Sequence, residues 1–161
     1  MNDLAESLRT LVGDAETVGV VVVDHGSRRQ QSNLLLDDVV AMFQRVTGFE
    51  LVEAAHMELA EPSIETAMAR CVERGASLVV VFPYFLSPGR HWSEDIPRLA
   101  AAAAAQHPGV RHLVTAPIGL HDAMADIMRG RIEHCVARAV AGDQACPHCQ
   151  EATGCQLAEA R

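Results

Sequence analysis

The residues of this chain that can do chemistry fall in four places. His25 stands in Asp24-His25-Gly26-Ser27-Arg28, directly after an apolar run. Imidazole is a good ligand for Fe²⁺, Co²⁺ or Ni²⁺, and it takes a proton near neutral pH. Gly26 permits close backbone approach, and Ser27 and Arg28 can hold an anionic group. The alternative for His25 is a strand-end histidine that caps the next helix. A second group is His56-Met57-Glu58 with Glu61. Glu58, beside a histidine, can assist metal delivery or accept protons. Glu61 precedes Pro62 at a helix start, where an acid complements the helix dipole, and it reads as structural. His56 is open to the plain reading of a core-edge histidine.

The third group is the loop from Pro83 to Trp92. Aromatic residues make up 4% of the chain, yet Tyr84, Phe85 and Trp92, three of six, crowd into this loop beside Arg90 and His91. Aromatics next to a histidine and an arginine suit a large flat ligand that bears carboxylates. The competing reading packs these rings onto the core and makes Glu94 and Asp95 ordinary first-turn acids. The fourth group is a cysteine cluster: Cys135, Cys146, Cys149 and Cys155 lie within the last 27 positions. Cys-x-x-Cys lets two thiolates reach one centre, and four thiolates suit structural Zn²⁺ or an iron–sulfur cluster. The fifth cysteine, Cys71, falls on a predicted helix and reads as a small core residue.

Elements must exist to position these groups. Val18 to Asp24 is a continuous β-branched run, which suits a central parallel strand covered on both faces. Further strands are expected over 49–56, 77–83 and 110–116. Helices are expected over 2–12, 34–46, 61–74, 96–106 and 121–139, with Pro62 in the first turn of the third. Strand followed by helix, four times over, means an α/β fold: an open, mainly parallel four-stranded sheet with helices on both faces. Ligands of such sheets bind beyond the carboxyl ends of the strands. Site residues should therefore sit on the loops that begin at Asp24, His56, Pro83 and Ala116. One domain is expected over 1–140, and an irregular cysteine-bearing tail over 141–161.

Composition narrows the class. At 161 residues and 49% hydrophobic, the chain is expected to be globular. A net charge of -8 argues against a nucleic-acid partner. No run of about 18 apolar residues is present to span a membrane. The start lacks an apolar signal core, so a cytoplasmic location is expected. The chain has no lysine; its fixed cations are arginines, which grip carboxylates with two parallel hydrogen bonds.

The segments VDHGSR, ELAEPS, FPYFLSPGRHWSEDIP and APIGLHDAM resemble those of the short-form class II chelatases, the sirohydrochlorin ferrochelatase/cobaltochelatase family. The resemblance covers roughly residues 18–135. It implies ATP-independent insertion of a divalent metal into sirohydrochlorin, a macrocycle with eight carboxylates and two protonated central nitrogens. By the same resemblance His25 and His91 bind the incoming metal and Glu58 joins them in catalysis. Ser27, Arg28, Arg29, Tyr84, Phe85, Leu86 and Arg90 are the implied contacts to the tetrapyrrole. Long family members carry two such halves, so a homodimer is expected here. The HC…CPHC…GC ending resembles the tail of plant-type sirohydrochlorin ferrochelatases, which implies a [2Fe–2S] cluster on Cys135, Cys146, Cys149 and Cys155, with Zn²⁺ as the alternative. An iron–sulfur tail favours Fe²⁺ and sirohaem formation over Co²⁺ insertion for cobalamin synthesis. A metal carrier and a redox or iron-sensing protein are the competing readings from other classes.

Overall fold

A computed structural model of the protein describes residues 4–87 and 89–141. It divides into two compact units, Met1–Gly119 and Leu120–Arg161. The first holds α1 (Leu4–Val12), β1 (Val18–Asp24), α2 (Gln30–Thr47), β2 (Val52–His56), α3 (Ile64–Glu73), β3 (Leu78–Pro83), a single π-helical turn (His91–Asp95), α4 (Ile96–Ala104) and β4 (Arg111–Val114). The four strands form one parallel sheet in the order β2-β1-β3-β4, with the continuous apolar runs β1 and β3 at its centre.

Period-two alternation explains how the sheet is covered. Val21 and Val23 of β1, with Val79 and Val81 of β3, face α3 and α4 and pack on Met68, Cys71, Ile96 and Ala100. Val18, Val20 and Val22 face the other way, onto Leu36 and Val40 of α2, with Leu4 and Leu8 of α1 at the margin. Gly19 lets α3 lie close: a Cβ there would stand 2.9 Å from the Cys71 Cβ. Cys71 is fully buried and its thiol is pushed up to about 12, first by burial and then by the Glu53 charge.

Several boundaries differ from the sequence expectation. Helix α2 begins at Gln30, because the polar residues Gln30 to Asn33 make its exposed first turn. Helix α3 begins at Ile64, so Pro62 lies before the helix and Ser63 is its N-cap, accepting from the Thr66 amide at 3.2 Å. Glu61 serves this helix start, accepting from the Ser63 amide at 2.7 Å and the Thr66 hydroxyl at 3.1 Å. The described part of the second unit is helix α5 (Ala123–Ala141), where His121 Nδ1 accepts from the Ala123 amide at 3.1 Å. Among the described residues no helix is long and apolar enough to cross a membrane.

Candidate metal and tetrapyrrole site

Register brings the chemistry together. Asp24 is paired with His56, and Val23 with Pro83, so the ends of β1, β2 and β3 are level. The loops after β1 and β2 are laced by main-chain bonds: the Met57 amide donates to the Asp24 carbonyl at 2.8 Å, and the Glu58 amide to the His25 carbonyl at 3.2 Å. His25 and Glu58 therefore face each other, with His25 Nε2 2.9 Å from Glu58 Oε1. On the other flank of β1, the β3–α4 loop carries His91. The ring centroids of His25 and His91 are 5.1 Å apart at an interplanar angle of 76°. Chain connections leave β1 and β3 in opposite directions, and the two histidines flank the crevice this creates.

The local chemistry aims both rings. His91 Nδ1 donates to Asp95 Oδ2 at 3.0 Å across the π-helical turn, which leaves Nε2 as the free lone pair. That bond, with a further one from Arg98, holds the Asp95 carboxyl below its ordinary value. His25 Nδ1 lies 3.2 Å from the Gly26 carbonyl, so its Nε2 is the nitrogen turned toward Glu58. His25 does not cap α2, whose N-cap residue, Arg29, makes no side-chain cap bond. Ring centroids 5.1 Å apart bring two imidazoles within the span that one ion, about 2.1 Å from each ligating nitrogen, can bridge. Among the described residues no three His, Cys, Asp or Glu side chains are grouped to hold an ion by themselves. Two imidazoles at a half-exposed mouth suit an ion that arrives with water and leaves, rather than a resident structural metal.

The remaining predicted residues sort by face. Phe85 and Leu86 line an open cavity of about 350 Å³ with Ser87, Gly89, His91 and Trp92. Phe85 also packs on the α3/α4 core, and Trp92 Nε1 donates to the Thr115 carbonyl at 3.1 Å, so both rings also have the structural role weighed against function. Tyr84 continues the face of Phe82 and lines a separate apolar groove of about 410 Å³ with Val20, Val22, Phe43 and Ile118. Arg28 and Arg29 are exposed, and among the described residues no carboxylate pairs with them. Arg90 is exposed and pairs with Glu94 at 3.3 Å. Ser27 is pinned by Asn33, whose side chain bonds both the Ser27 amide and the Ser27 carbonyl at 2.8 Å. Cys135 is exposed on α5, while Cys146, Cys149 and Cys155 lie outside the described residues. Sequence reading missed Asp24 and His56 as partners, Asn33, and the Asp95 contact to His91. A polar residue at the end of an apolar strand was the one signal for the first pair.

Comparison with known proteins gives the chain a family. A protein-family model described as CbiX matches residues 19–135. The chloroplastic sirohydrochlorin ferrochelatase of Arabidopsis thaliana is 49% identical over 146 residues, which are 91% of this chain and 64% of that protein. The sirohydrochlorin cobaltochelatase of Methanopyrus kandleri is 38% identical over 82 residues, 51% of this chain and 57% of that one. The chain thus spans about three-fifths of the length of these relatives. The structure of SirB from Bacillus subtilis with Fe³⁺ superposes with a TM-score of 0.68 at 27% identity, over 73% of this chain and 47% of that one.

Proposed function

The chain belongs to the CbiX family, and on that premise we propose that it inserts Fe²⁺ into sirohydrochlorin to form sirohaem without ATP. The observation that carries the proposal is the pair of histidine rings 5.1 Å apart beside Glu58, at the mouth of a loop rich in aromatic residues. His25 and His91 hold the ion through Nε2 on one face of the macrocycle. Insertion exchanges two ring N–H protons for one M²⁺, so two protons must leave. Glu58, already 2.9 Å from the metal-binding nitrogen of His25, takes the two protons in turn and passes each to water from its exposed position. Phe85 and Leu86 give the ring an apolar rest. Ser27, Arg28, Arg29 and Arg90 meet the peripheral carboxylates, and Tyr84 contributes from the adjoining groove. A second copy of the chain completes the cleft as a homodimer.

Four thiol sulfurs suit a [2Fe–2S] cluster or Zn²⁺, and the exposure of Cys135 leaves its sulfur free to join such a centre. When bound, the cluster supplies one-electron redox chemistry. Visible absorbance and electron paramagnetic resonance of anaerobically purified protein separate the two metals.

The test of the activity is an anaerobic absorbance time course with sirohydrochlorin and Fe²⁺, run beside His25→Ala. Protein-dependent conversion to the metallated spectrum, lost in the variant, is the expected result. A rate equal to the spontaneous one with both Fe²⁺ and Co²⁺ would overturn the reading in favour of a metal carrier. Insertion of Co²⁺ in preference to Fe²⁺ would favour the second reading, cobaltochelatase, for which the 38% identical relative speaks.

A further inference from the structure

His56 is the one buried polar or charged side chain in the core of the described residues, 3% exposed. Burying an imidazole is costly unless its polar atoms are bonded. Its Nδ1 lies 2.6 Å from Asp24 Oδ1, and the same oxygen accepts from the Gly26 amide at 2.9 Å. One carboxylate oxygen thus joins the end of β2, the end of β1 and the turn that carries His25. Around it the backbone is tied at three points: the Met57 amide to the Asp24 carbonyl, the Glu58 amide to the His25 carbonyl, and the His56 amide to the Pro62 carbonyl at 2.8 Å. Gly26, at φ +82°, lies so close that a Cβ there would be 3.0 Å from the His56 Cβ. The ladder between β1 and β2 ends at Asp24 and His56. Beyond it, the directions of the two loops depend on what joins them.

We propose that Asp24 and His56 are a positioning pair for the metal site. They touch neither metal nor macrocycle. Their bond fixes the turn at Gly26 against the end of β2, and so sets the 2.9 Å reach between His25 Nε2 and Glu58. An apolar residue at 56 would fill the same space without the cost of a buried imidazole. What it could not do is hold the Asp24 carboxylate in the place where the Gly26 amide needs it. The pair stands to His25 and Glu58 as outer-shell partners stand to metal ligands, whose loss typically weakens binding by about 10–100-fold.

The inference rests on His25 being a metal ligand, and the test separates the two claims. Co²⁺ alone is titrated into the full chain and into His25→Ala, and the difference defines the His25-dependent binding. If the parent shows none, the proposed function has failed. Given such binding, His56→Leu is expected to weaken it by about 10–100-fold. His56→Asn, whose amide N–H can still donate to Asp24, is expected to stay within about threefold of the parent. Asp24→Ala, read alone if His56→Leu does not fold, is expected to show at least the loss of His56→Leu, since it also removes the acceptor of the Gly26 amide. The double variant should be no weaker than Asp24→Ala, which by itself already removes the bond that His56→Leu removes. A folded His56→Leu, or in its place a folded Asp24→Ala, that binds within threefold of the parent would overturn the proposal. So would additive losses in the double variant.

Discussion

Replacing Gly26 by alanine tests the lacing of the two loops most directly. The new Cβ would stand 2.0 Å from the Glu58 carbonyl oxygen, where an ordinary carbon–oxygen contact is about 3.3 Å, so the loops must part by about 1.3 Å. Backbone at φ +82° costs a residue with a side chain about 1–2 kcal/mol. Parting the loops also loses the hydrogen bond from the Glu58 amide to the His25 carbonyl, about 1 kcal/mol more. The sum, about 2–3 kcal/mol, corresponds to a fall in Tm of roughly 5–10 °C for a chain of this size. The proposed insertion activity should suffer more than stability. A displacement of about 1 Å at the reacting groups lowers a rate by about 10²-fold, and this one falls between His25 and Glu58. Differential scanning fluorimetry with the anaerobic insertion assay reads both effects. A variant with parental Tm and a rate within threefold of the parent would mean that the loops do not lie against each other as described.

Three further outcomes follow. Trp92→Phe keeps the ring's apolar body but loses the bond to the Thr115 carbonyl; it should cost about 1 kcal/mol and raise KM for the proposed tetrapyrrole substrate more than it lowers kcat, as steady-state kinetics will show. Cys71, its thiol pushed up to about 12 from 9.0, should resist alkylation until the fold is opened, by peptide mass spectrometry. Because its folded value lies above its unfolded one, its contribution is full below pH 9 and declines as pH rises from there toward 12, by at most about 1.4 kcal/mol per pH unit. Asp95 has the opposite sign. Its carboxyl is held down by His91, so its contribution is present above its ordinary value of 3.8 and is lost as pH falls below that; Asp95→Asn should flatten the acid limb of the stability curve, read by Tm between pH 6 and pH 3.

The sequence made some features of the molecule legible and left others hidden, for physical reasons. The β-branched run at Val18–Asp24 announced a central parallel strand because both its faces needed apolar partners. The rule that ligands bind at strand ends pointed to His25, Glu58 and His91 on their loops, and the fold brings these three side chains together. The hidden contacts depend on distance in the chain or on local geometry. Asp24 and His56 are 32 positions apart, and only the register of β1 against β2 reveals that they meet. The bond from His91 to Asp95 crosses a π-helical turn, which no periodicity in Arg90–Asp95 signals. Tyr84 and Phe85 look alike as neighbours in an aromatic loop, yet the alternation of β3 carries on past Pro83 and sends them to opposite faces of the sheet.

The ties between the β3–α4 loop and the segment after β4 bear on how the protein is made. The Trp92 indole is held by Thr115, and the Phe85 carbonyl by the Gly119 amide at 3.1 Å. Thr115 follows His91 by 24 positions, an interval of about one to five seconds at ordinary rates of translation. During that interval the nascent chain already carries His25, Glu58 and His91, but the β3–α4 loop lacks two of its ties, those to Thr115 and Gly119. The proposed ion site is therefore completed only after Thr115 and Gly119 have been added, later than the last of the residues proposed to line it.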